Sequence, residues 1–154
     1  GDTTLTNESA IWVKTQATPP PMLAEMVFAG NLQFSIPSNN QPYNVTGTCT
    51  MGSSQKLFAL WPHMHKLATH QKIELIRGTT TTTLHDMDYM FGEQRYWPQS
   101  PEIQVQNNDK IRVTCTYVNN TGASVSFGDG SDKEMCFGGM YRYPSTNSNL
   151  FCVF

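Results

Sequence analysis

The nine residues Lys110-Ile-Arg-Val-Thr-Cys-Thr-Tyr-Val118 alternate polar and apolar side chains without a break. Successive side chains of an extended strand point to opposite faces, so Ile111, Val113, Cys115 and Tyr117 share one face and the polar residues the other. A strand with one apolar face needs a second layer to cover it. No segment of the 154 residues sustains the 3.6-residue period of an amphipathic helix. The chain must therefore build its core from sheets.

Other segments read the same way. Val27-Phe28 and Leu32–Ile36 precede a turn at Pro37-Ser-Asn-Asn40, and Tyr43–Met51 carries Val45, Gly47 and Cys49 on one face. Leu57–Leu67 and Gln71–Arg77 follow. Gly78 and five threonines then read as a β-rich hairpin tip, since threonine favours strands. Leu84–Phe91, Gln94–Pro98 leading into Ile103–Val105, Ala123–Phe127, Met135–Tyr143 and Leu150–Val153 complete the set. About nine short strands separated by turn signals predict an all-β, antiparallel β-sandwich of jelly-roll type. Residues 1–24, with Pro19-Pro20-Pro21, read as an extended arm or linker, pinned to the domain by Ile11-Trp12-Val13. Residues 25–154 form the domain.

Charge excludes several partners. Net charge is −2, only 14% of residues are charged, and there is no basic run to attract nucleic acid or an anionic membrane. Apolar runs reach about five residues, far short of a spanning helix. The start, Gly-Asp-Thr-Thr, reads as processed or trimmed and is no signal peptide. Four cysteines, an even number, suit disulfides in a secreted or periplasmic protein; four free thiols in a cytosolic protein is the alternative. Sequons stand at Asn7, Asn44 and Asn119. A glycine-rich phosphate loop, a Gly-x-Ser-x-Gly elbow and a Cys-x-x-Cys pair are all missing.

What remains is Leu57-Phe-Ala-Leu-Trp-Pro-His-Met-His-Lys-Leu67. On a strand, His63 and His65 project side by side, and neutral imidazole suits Cu, Zn, Fe or Ni. Met64, between them, points the other way and packs. Two ligands rarely hold a metal tightly. Met135, in a polar segment just before Cys136, offers a soft thioether, which selects Cu(I) over Zn or Mg. The bland alternatives are two surface histidines and a core methionine. His70 and His85 are left outside the primary site, as adventitious metal sites at most. Asp129, Asp132 and Glu134 read as a solvated acidic loop; the alternative is a carboxylate that orients a ligand.

Pro-His-Met-His-x-Leu, followed some seventy residues later by Glu-Met-Cys, resembles the copper type II, ascorbate-dependent monooxygenases, which include peptidylglycine α-hydroxylating monooxygenase and dopamine β-monooxygenase. The likeness is to the second of their two catalytic domains, which holds the oxygen-activating copper, and it spans about Val27 to Cys152. It implies His63, His65 and Met135 as catalytic metal ligands, and disulfides Cys49–Cys152 and Cys115–Cys136. It also places Trp61 where the peptide-processing enzyme has an arginine that grips a substrate carboxylate. Phe137 and Gly139 stand where that enzyme has asparagine and tyrosine. These departures imply a more apolar or aromatic substrate, with Trp61 and Phe137 lining its pocket, or else Trp61 simply packs on the sheet.

The expected function is that of a one-copper domain, cycling Cu(I)/Cu(II), that activates O2 to hydroxylate a C–H bond of a small substrate. Ascorbate or another donor supplies electrons. In the family a second copper, on three histidines of a preceding domain, stores one of them. His70 and His85 are too few for such a set. The chain then works as half of a two-domain enzyme, or as a relative that takes electrons elsewhere. The rival expectations are a secreted or periplasmic copper carrier without turnover, and a glycan- or protein-binding sandwich with exposed Trp and Tyr.

Overall fold

A computed structural model describes residues 10–153. Its strands are β1 (Glu25–Asn31), β2 (Ser35–Ile36), β3 (Pro42–Thr50), β4 (Gln55–His63), β5 (Ala68–Arg77), β6 (Thr80–Asp88), β7 (Trp97–Val105), β8 (Lys110–Val118), β9 (Val125–Ser126), β10 (Cys136–Tyr143) and β11 (Phe151–Val153), with a 3-10 turn at Phe91–Glu93. A five-stranded sheet in the order β11-β1-β10-β4-β7 packs on a four-stranded sheet in the order β3-β8-β5-β6, and β2 pairs with β9 at one side. The all-β sandwich is as the alternating segments require. Strand β8 has the bounds its pattern gave, and Ile111, Val113, Cys115 and Tyr117 are all fully buried.

Two segments differ from the sequence reading, each for a geometric reason. The threonine run is mostly strand rather than tip. Gly78 (φ 57) and Thr79 alone make the turn between paired Arg77 and Thr80, and Gly78 supplies the positive φ that a two-residue hairpin turn needs. Thr80 to Thr83 then line β6, an exposed edge where β-branched side chains are at ease. The second difference is that β11 runs parallel to β1, whereas the other named strand pairs are antiparallel. Strand β10 lies antiparallel to β1. A chain that reverses after β10 and crosses to the far edge of β1 must run parallel to it.

The core lies between the two sheets: Val27, Ala29, Leu57, Leu60 and Met140 from one, Val45, Ile73, Leu75, Ile111, Val113 and Tyr117 from the other, with Met64 from the loop after β4. Both disulfides cross this layer. Cys49 of β3 is joined to Cys152 of β11, and Cys115 of β8 to Cys136 of β10. In the chain-entropy account such bridges, closing 103 and 21 residues of chain, contribute about 5 and about 3 kcal/mol.

Ile11, Trp12 and Val13 do not pin the arm: they are 77–99% exposed. Asn119 is fully buried, with its amide donating to the Ile36 and Ala123 carbonyls and its Oδ1 accepting from Thr121, so it is no glycan acceptor. Asn44 is exposed on β3, and Asn7 lies outside the described residues. Among the described residues no helix is long and apolar enough to cross a membrane.

Candidate copper site

Strand β4 ends at His63, four residues earlier than its sequence suggests. Pairing with β10 stops at Phe137↔His63. Beyond it the backbone of Met64 turns to a side chain: its N–H donates to the Tyr89 hydroxyl (3.1 Å), which donates in turn to the Met64 carbonyl (2.7 Å). His65 therefore sits in a loop, yet the pair stays together. The two imidazole centroids are 5.5 Å apart and the rings are perpendicular. Met64 packs fully buried in the core, as its parity requires.

Both rings are anchored through Nδ1. His65 Nδ1 lies 3.0 Å from the Lys133 carbonyl, which can only accept, so the proton is on Nδ1 and Nε2 keeps its lone pair. His63 Nδ1 lies 2.7 Å from Gln94 Oε1, giving the same tautomer. A partner of this kind on the far nitrogen is the usual way a protein aims an imidazole at a metal. Burial pulls the His63 pKa below its usual value, against the Gln94 hydrogen bond that raises it, and the neighbouring His65 adds to the lowering. The ring is thus held neutral, the form that ligates.

Among the described residues no third His, Cys, Asp or Glu converges on the pair. Met135 directly follows Glu134, whose carboxylate accepts from the His65 backbone N–H, and directly precedes Cys136, the first residue of β10. Met135 is half-buried, and its carbonyl accepts a 2.6 Å hydrogen bond from the Tyr117 hydroxyl.

Glu134 is not part of a solvated loop. It is fully buried, and its carboxylate accepts from the backbone N–H groups of His65 (2.9 Å) and Leu67 (2.6 Å). Burial raises its pKa, and these backbone donors oppose the rise. It fastens the segment bearing Met135 to the loop bearing His65. Asp129 and Asp132 are exposed, as expected. Tyr89 and Gln94 escape sequence reading, and the role of Glu134 stood there only as the alternative to a solvated loop, because each acts through a hydrogen bond at 25 to 69 residues' separation. The nearest signal for Glu134 was its place beside Met135.

Along the outer face of the five-stranded sheet, aromatic rings flank His63. Trp61, two residues back on β4, lies 5.3 Å from it, and the Phe137 ring lies parallel at 6.5 Å. Phe28 meets Trp61 at 5.5 Å and Phe137 at 5.3 Å. Gly139, between Phe28 and Trp61 in the register, makes this possible: a Cβ there would stand 3.1 Å from the Phe28 ring. Phe137 is covered, and Trp61 is half-buried. The two other histidines lie on the four-stranded sheet, His70 on β5 and His85 on the edge strand β6. His70 is half-exposed and 3.0 Å from Asp86, while His85 is buried against Trp97.

The chain has been compared with known proteins. No curated protein matches. Among solved structures the likenesses are remote. The family 32 carbohydrate-binding module of C. perfringens NanJ, in complex with galactose, has 10% identity over 78% of this chain and 93% of that one, at TM-score 0.40. The VP2 subviral particle of infectious bursal disease virus has 14% identity over 84% of this chain and 36% of that one, at TM-score 0.34. Scores below 0.5 carry no functional information. The match to a family is of another kind. Residues 22–153 fit the C-terminal domain of the copper type II ascorbate-dependent monooxygenases, nearly the whole of the described chain, and it contains both histidines and the methionine. By that match the chain belongs to the copper type II ascorbate-dependent monooxygenase family, as its C-terminal domain.

Proposed function

We propose that His63, His65 and Met135 hold one copper ion and that the site serves the hydroxylation of a C–H bond in a small substrate. The observation that carries this is the pair of Nδ1-anchored imidazoles, neither with an Nε2 hydrogen bond among the described residues, with the His65 loop fastened by its backbone to Glu134, the neighbour of Met135. Two neutral nitrogens and one soft sulfur suit Cu(I) and leave a position open. Copper supplies, when bound, the one-electron redox chemistry that lets O2 react with a C–H bond. The protein's own groups do the rest. Gln94 and the Lys133 carbonyl fix the tautomers, and Tyr89 and Glu134 hold the loop between the ligands. Trp61 gives the open side an apolar wall, which favours an apolar or aromatic substrate over one bearing a carboxylate. Two disulfides suit an oxidising compartment, and we assign the protein to a secreted or periplasmic setting.

Hydroxylation by O2 consumes two electrons beyond those of the C–H bond: substrate, O2, two electrons and two protons give alcohol and water. A single copper site passes one at a time. The test is product formed per O2 consumed by the 154-residue chain with an aromatic C–H substrate. With ascorbate alone coupling is low. With peroxide, which brings both electrons, oxidation proceeds slowly, and Trp61→Arg shifts preference toward carboxylate-bearing substrates. Tight coupling with ascorbate would contradict the electron count, and no oxidation even with peroxide would leave a copper carrier.

A further inference from the structure

A second cluster of soft donors lies beside this site. Strand β6 carries His85 and Met87 two residues apart, hence on one face, and Met90 follows just past its end. The three line a single cavity of about 150 Å³, at the open edge between β6 and β7. His85 packs on Trp97 (ring centroids 5.4 Å) with 9% of its surface exposed; its imidazole opens onto the cavity rather than being sealed in the core, and it has no hydrogen-bond partner among the described residues. The other histidines each face one: Gln94, Lys133 or Asp86. Met87 and Met90 are 44% and 61% exposed. Two exposed thioethers and an imidazole with no protein partner thus line the same cavity.

The charges around the cavity admit a cation. Asp88 and Glu93 line it against one opposing charge, Arg95. Arg95 is itself occupied, 3.1 Å from Glu93 and stacked over Trp97 at 5.3 Å. Burial lowers the His85 pKa, with the nearby His70 adding to it, so the imidazole is available as a neutral donor. Thioether and imidazole together select Cu(I) over harder ions. The cavity also includes Gln94, whose Oε1 holds His63 Nδ1 at 2.7 Å.

We propose that His85, Met87 and Met90 form a second site, for monovalent copper, on the rim next to the His63 loop. One imidazole and two thioethers favour Cu(I) so strongly over Cu(II) that the site suits taking up and holding the ion rather than passing electrons. This site stands apart from the reading of His63, His65 and Met135, and its test removes those three.

The probe is Ag(I), a redox-inert stand-in for Cu(I), titrated into the chain carrying His63→Ala, His65→Ala and Met135→Leu. One equivalent is expected to bind, with shifts in the methyl resonances of Met87 and Met90. Adding Met87→Leu and Met90→Leu, near-isosteric changes at exposed positions, should weaken that binding at least tenfold. His85→Ala should do the same. X-ray absorption of the same background loaded with Cu(I) should show sulfur and nitrogen neighbours together. Absence of Ag(I) binding in the triple variant, or binding unchanged by the two leucines, would overturn the proposal.

Discussion

His63 shows what a single side chain needs in order to ligate. Its identity and parity come from the sequence; its aim comes from Gln94, which meets Nδ1 from 31 residues away. Removing such a partner typically weakens metal binding about 10–100-fold. Gln94→Ala should therefore lower Cu(I) affinity by that factor with little change in melting temperature, as read by competition with a chromogenic chelator. Glu134 acts differently. Both its oxygens accept backbone N–H groups, from His65 and Leu67. Glu134→Gln turns an amide NH2 toward one of those donors and leaves it buried without a partner, which costs about 1–3 kcal/mol. Urea unfolding should show that loss, and a variant as stable as the parent would remove Glu134 from the account. The role of Gln94 was not legible in the sequence, and that of Glu134 stood there only as the alternative to a solvated loop. Composition around Glu134 (Asp129, Asp132, Ser131, Lys133) reads as a wet loop, and only the pairing of β10 with β4 draws it inward.

At the scale of elements, Glu25 closes the C-terminal return that makes β11 parallel to β1. Its carboxylate accepts from Arg142 (2.9 Å), Ser145 (2.9 Å), Thr146 (3.1 Å) and Ser148 (3.3 Å). Burial works against its ionisation, but hydrogen bonds from Ser145, Gln55 and Thr146 and the Arg142 charge outweigh that and pull its pKa from 4.5 to about 2. A carboxylate lowered on folding stabilises at pH values above its unfolded pKa. That contribution, of order 2 kcal/mol, is complete above about pH 5 and lost as pH falls through 4 toward 2. Glu25→Gln should melt lower than the parent at pH 7 and converge with it near pH 2, as followed by calorimetry; a constant gap across that range would contradict the linkage. The strands themselves were mostly legible. β8 alternates over its whole length because it is central in its sheet, wet on one face and packed on the other. The parallel β11 was not, because three residues carry no direction. Nor was the early end of β4, since Leu67 and His65 continue its alternation while Tyr89 takes the backbone that would extend it.

Across the whole molecule, the sandwich brings two remote segments to one end of one sheet. The Cys115–Cys136 bridge anchors the methionine segment, Cys136 sitting directly after Met135, and the Glu134 carboxylate ties that segment to the histidine loop. The His-x-His pair and the methionine were readable as donors because soft and borderline ligands in a polar context are chemically conspicuous. That they should converge is implied only by the family likeness, for no spacing rule links residues 70 apart. The account stands or falls on that convergence, and X-ray absorption at the copper edge of the Cu(I)-loaded chain measures it directly. To isolate the primary site, the sample carries His85→Ala, Met87→Leu and Met90→Leu. One copper with two imidazole nitrogens and one sulfur is expected, with the sulfur lost in Met135→Leu and copper binding lost when His63 and His65 are both alanine. A copper without sulfur, or a sulfur signal unchanged by Met135→Leu, would contradict it.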